Sequence, residues 1–140
     1  MKQSTAQPGT PRHLWIVGVL SLLWNSMGAL DYTMTKLGNQ AWLKNVPPET
    51  LSAIAAYPPW ATAAWALGVW GSLLGSVLLL MRSRHALTAL LVSLAGLAFN
   101  TLAMKLGGLP VVSGLAAAIW AALLGLIWYV WGQQQAGVLR

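Results

Sequence analysis

Four apolar runs, each about as long as the 20 or so residues that a helix needs to cross a hydrocarbon core of about 30 Å, take up most of this chain. Lipid offers no hydrogen bonds, so every backbone N–H and C=O in such a run must find its partner within the protein. Runs of this length do that as helices. The predicted spans cover residues 13–35, 60–81, 86–106 and 110–131, inside one domain of residues 13–132. The expected fold is therefore all-α, an integral membrane four-helix bundle. Only 7% of residues are charged, against about a quarter in soluble domains, and the runs leave no length for a separate soluble unit.

Between the runs the chain is short of everything but turns. Residues 1–12, MKQSTAQPGTPR, are polar and rich in breakers, and read as a mobile tail. Lys2 and Arg12 ahead of an apolar run imitate a signal peptide, but the run is expected to be kept as an anchor. The one long connection joins the first and second spans. Within it, Val46-Pro47-Pro48-Glu49-Thr50 has the form of a helix start, with Glu49 complementing the dipole. Leu51, Ile54 and Ala55 follow on one face, so a short helix is predicted at the membrane surface. Arg82-Ser83-Arg84-His85 and Gly107-Gly108-Leu109-Pro110 are tight turns, which makes their flanking helices antiparallel neighbours. Residues 133–140 are expected to form a C-terminal tail.

The basic residues set the expected orientation. With the N-terminus inside, Lys2, Arg12, Arg82, Arg84 and Arg140 face the cytoplasm against Lys36, Lys44 and Lys105 outside, so both termini are predicted to be cytoplasmic. The net charge of +6 belongs to these segment ends and calls for anionic headgroups, not nucleic acid.

Small residues recur along the second span at four-residue spacing: Ala64, Gly68, Ser72 and Ser76, and again Gly71 and Gly75. Membrane helices associate by letting backbones approach closely, so Gly68, Gly71, Ser72 and Gly75 are expected to pack within the bundle. The polar side chains inside the spans are few. Asn25, Asp31, Asn100 and Lys105 form the candidate intramembrane cluster, since such groups are costly in lipid unless partnered. By helical rise Asp31 lies about 25 Å from Leu14 and Lys105 about 28 Å from Ala86, so the two are expected to pair at similar depth. Of nine tryptophans, Trp15, Trp42, Trp60, Trp128 and Trp131 fall where aromatic belts are ordinary. Trp24, Trp65, Trp70 and Trp120 lie deeper and are candidate ligand or partner contacts.

The same inventory argues against other chemistry. There is no cysteine, and His13 and His85 both sit at the same boundary, so neither a metal site nor a bis-histidine haem is expected. One Asp, one Glu and two separated His supply no catalytic dyad, so no catalytic residue and no cofactor is predicted.

Three strings carry a resemblance: Trp24-Asn25-Ser26-Met27-Gly28-Ala29, Pro59-Trp60, and Ala66-Leu67-Gly68-Val69-Trp70-Gly71-Ser72-Leu73-Leu74-Gly75-Ser76 leading to Leu80-Met81-Arg82. They resemble a family of small four-helix bacterial membrane proteins of uncharacterised function, some of them labelled sugar transporters. The likeness spans residues 14–97 or so. It implies the four-helix architecture and a place in the bacterial inner membrane, and it implies no activity. The expected role is a non-enzymatic accessory or scaffold subunit whose partners are the lipid bilayer and other membrane subunits or copies of itself. The alternative is a small oligomeric transporter using Asp31 as a proton- or cation-coupled site. A water-filled cavity reaching Asp31 and Asn25 would favour transport, and a dry, packed core with tryptophans facing lipid or a partner would favour the accessory role.

Overall fold

The computed structural model describes residues 11–108 and 114–139. Among the described residues six helices follow in order: α1 (Arg12–Leu37), α2 (Gln40–Leu43), α3 (Pro48–Ala55), α4 (Pro59–Leu80), α5 (His85–Leu106) and α6 (Gly114–Gln135). Four of them, α1, α4, α5 and α6, are long and apolar enough to cross a membrane, and the chain is a small multi-pass membrane protein. Prolines open α3 and α4 at the position where a missing N–H costs nothing. The helices close by a common device. After α1, Gly38 turns left-handed at φ 68° and Asn39 N–H reaches back to the Met34 carbonyl at 3.1 Å. After α4 the same turn is made by Arg82 at φ 56°, a conformation uncommon outside glycine, with Ser83 N–H on the Leu78 carbonyl at 2.8 Å.

Successive long helices run antiparallel. The start of α1, the end of α4, the start of α5 and the end of α6 therefore share one end of the bundle, called here the near end. The main hydrophobic cluster lies there, formed by Leu14, Leu79, Ala86, Leu90, Leu123, Leu126, Val130, Val138 and Leu139.

Helices α4 and α5 make the most extensive interface. Its small buried residues on α5, Ala86, Ala89, Ser93, Gly96 and Ala103, recur in steps of three and four with a seven-residue period, the rhythm of a left-handed helix pair. A Cβ built on Gly96 would stand 2.5 Å from the Gly68 nitrogen and 2.7 Å from the Ala64 carbonyl oxygen, so only glycine fits. One on Gly71 would lie 3.1 Å from Ser93 Cβ and 3.3 Å from the Ala89 carbonyl oxygen. The Ser93 hydroxyl donates to the Gly68 carbonyl at 2.6 Å and pins the register.

The small residues of α4 divide between two neighbours. Gly68, Gly71 and Gly75 face α5, but Ser72 and Ser76 face α1, where Asn25 Nδ2 donates to the Ser72 carbonyl at 3.1 Å and to Ser76 Oγ at 2.7 Å. The reason is angular. A four-residue step turns about 400° on a helix, so a row read at that spacing drifts about 40° per step and leaves one neighbour for the next. α4 thus lies between α1 and α5.

Several expected boundaries also shift. Arg12 belongs to α1 and not to the tail, and α1 runs on to Leu37. A turn of helix, α2, follows it, with Asn39 Oδ1 accepting from Trp42 N–H at 3.0 Å. The fourth helix continues past Trp131 to Gln135, while its expected start at 110–113 lies outside the described residues, as do 1–10 of the tail. The C-terminal segment is not a free tail. Gly137 reverses the chain at φ 75°, Arg82 Nε donates to the Val138 carbonyl at 3.3 Å, and Val138 and Leu139 are 4% and 6% exposed.

Candidate functional site

Helix α6 is fastened at the near end and has a far smaller interface with α5 than α4 does. Between it and α1 opens a lateral cleft of about 840 Å³. Val17, Leu20, Trp24 and Met27 of α1 form one wall, and Leu115, Ile119, Leu123 and Leu126 of α6 the other. The floor is supplied by Gly68, Val69 and Ser72 of α4 and by Ser93, Leu97 and Asn100 of α5. At the near end it is closed by a hydrogen bond between His13 Nδ1 and the Tyr129 hydroxyl, whose rings meet edge to face.

The far end carries the polar groups. Asp31 lies about 28 Å along α1 from Arg12 by helical rise, and its Oδ1 accepts from Trp42 Nε1 at 2.9 Å. The turn at Gly38 folds α2 back to bring that indole within reach. Tyr32 braces the region, edge-on to Trp65 at 4.8 Å and to Trp70 at 6.4 Å between centroids. A smaller hollow of about 230 Å³, lined by Ala53, Tyr57, Trp60 and Ala103, lies beside α3. Burial raises the Tyr57 phenol above its ordinary pKa of 10.0.

Three of the four expected intramembrane polar residues, Asn25, Asp31 and Asn100, line the cleft together, and Lys105 does not. The expected Asp31–Lys105 pair does not form. By helical rise the two reach similar depths, but α4 separates α1 from α5, and the carboxylate takes the indole of Trp42 instead. Of the deeper tryptophans, Trp24 and Trp65 line the cleft, whereas Trp70 packs on Tyr32 and Trp120 lies elsewhere. Trp42 and Trp128, expected in the interfacial belt, belong to the cleft lining.

The residues that sequence reasoning missed divide into two kinds. Ser93 and Gly96 were accessible through the seven-residue recurrence of small residues on α5. The cleft face of α6 had no such mark, because that helix is apolar all round.

Chemically the cleft is an apolar slot with a few fixed polar groups, the usual make-up of a site for an apolar ligand, and its volume is in the usual range. Among the described residues no Lys or Arg lines it, and Asp31 is the only carboxylate that does. Among the described residues no three His, Asp or Glu side chains converge on a metal position. Compared with protein-family models, curated proteins and solved structures, the chain matches none.

Proposed function

We propose that the protein is a non-enzymatic, membrane-embedded binding protein that holds an apolar molecule in the cleft between α1 and α6. One observation carries this reading: a laterally open slot of about 840 Å³ that reaches both Asn25 and Asp31. It departs from the dry, packed interior that a pure scaffold needs. Proton- or cation-coupled transport through Asp31 has less support, since the carboxylate is exposed at the far rim and held by Trp42. The Asn25 amide nitrogen is likewise committed inside the protein.

Native mass spectrometry of the detergent-purified protein tests the reading. The wild type is expected to carry a bound apolar molecule that Gly125→Leu loses, because a side chain there enters the cleft where a Cβ meets nothing within 4 Å. Wild type free of any such molecule, with none acquired from added lipid, contradicts it. An accessory role is the second reading, favoured by the sideways opening, which admits a partner's helix as readily as lipid. In that case the occupant is a second polypeptide.

The setting proposed for this activity is the bacterial inner membrane with both termini cytoplasmic. Support comes from the basic bias and from the near end, which gathers Arg12, Arg82 and Arg84. Gln40→Cys should be labelled from outside and Ser83→Cys should not. The opposite pattern reverses the orientation.

A further inference from the structure

We propose that the cleft is built for an uncharged lipophilic alcohol, whose hydroxyl meets the Asn100 amide while its hydrocarbon lies between α1 and α6. The inference rests on the binding reading above and narrows it to a ligand class. It comes from asking which amide, hydroxyl or carboxylate side chain in the cleft is left unmet. Ser21, Asn25, Asp31, Ser72 and Ser93 each make a hydrogen bond of 3.1 Å or shorter to a protein partner. Asn100 does not. Its Nδ2 has only the Met104 sulfur, a weak acceptor, at 3.9 Å, and its Oδ1 is buried with no partner. An orphaned amide oxygen in an apolar setting is costly, and a group that satisfies it gains affinity for that reason.

The chemistry of the partner follows from what surrounds the amide. With no Lys or Arg among the described residues that line the cleft, an anionic headgroup finds no counter-charge there and meets Asp31 at the rim. A cationic head would be drawn to that rim, away from the unmet group on the floor. Oδ1 is closed off as the amide stands, so the side chain turns about its soft terminal torsion to present it, and a hydroxyl in the cleft then donates to it. Asn100 stands about 22 Å along α5 from His85, towards the far end. Below it, towards the near end, the lining turns to Val17, Leu20, Leu123 and Leu126, which suits a hydrocarbon chain.

The test is a competition between two isomers that differ in the donor alone. Deuterated 1-tetradecanol and tridecyl methyl ether are added together to the detergent-purified protein, and the two complexes are counted by native mass spectrometry. Wild type is expected to favour the alcohol by about threefold or more, the value of one typical hydrogen bond inside a membrane protein. Asn100→Leu should bind both and lose the preference, and tetradecanoate should bind more weakly than either. Equal binding of alcohol and ether by wild type, with both lost in Gly125→Leu, overturns the alcohol inference and leaves the binding cleft standing. A preference that survives Asn100→Leu also overturns it. If Gly125→Leu binds both ligands as wild type does, the cleft itself is not the site and both readings fall.

Discussion

The α4–α5 seam and the α1–α6 cleft use the same small residues to opposite ends. At Gly96 an added Cβ would run into the backbone of α4, whereas at Gly125 it would meet nothing within 4 Å. Glycine by itself therefore does not bring membrane helices together. A close approach needs small residues in register on both partners, as Ala64, Gly68 and Gly71 answer Ser93 and Gly96. α6 offers Ala122 and Gly125 to the cleft, but α1 faces them with Val17, Leu20, Trp24 and Met27. Large side chains on one wall hold the other away. No hydrophobic drive exists in lipid to close the gap, because acyl chains fill it as well as leucine does. One region is a structural clamp and the other is a space kept open.

Substitutions that add the same volume to each region separate the two most sharply. Gly96→Leu should be the most damaging, at about 3 kcal/mol, since the atoms it strikes are backbone and have nowhere to move. Gly71→Leu should follow. Gly75→Leu should cost least of the three, because the nearest atoms there are the flexible end of Leu90. Thermal unfolding in detergent ranks them, and a Gly96→Leu protein as stable as wild type would mean the seam is not closed. Gly125→Leu is expected to raise stability by up to about 1 kcal/mol, the helix-propensity gain over glycine, while it fills the cleft. A large loss there would show that α6 packs against α1. The smallest effect belongs to the charges at the far end. In a thermal-stability cycle, Asp31→Asn and Lys105→Gln should be additive within about 0.5 kcal/mol, as independent sites are. A larger coupling would restore the ion pair that Trp42 replaces.

Much of this contrast was legible in the sequence, and the part that was not has a physical cause. Run length located the four helices, because backbone satisfaction in lipid leaves few alternatives. Gly68, Gly71 and Gly75 pointed to a close contact, and Asn25, Asp31 and Asn100 to a shared polar region. Depth along a helix follows from rise per residue, and that alone put Asp31 and Lys105 at one level. Which helix stands beside which does not follow from rise, and α4 between α1 and α5 parted them. The Trp42 bond to Asp31 depends on a chain reversal at Gly38 that brings distant side chains together. The cleft is a failure of two faces to match, and a single helix read alone contains no trace of it.

The claim that one helix pair is shut and the other open is tested most directly by thiol reactivity, for which a chain without cysteine provides a clean background. Ala89 is 9% exposed in the seam, and Ala122 is exposed on the cleft wall. Single variants Ala89→Cys and Ala122→Cys, folded in detergent, are treated with a small uncharged maleimide and then heated through unfolding. Ala122→Cys should react in the folded protein, and Ala89→Cys only as it unfolds. Equal protection of the two thiols until unfolding would show that α6 closes onto α1, and would contradict the account.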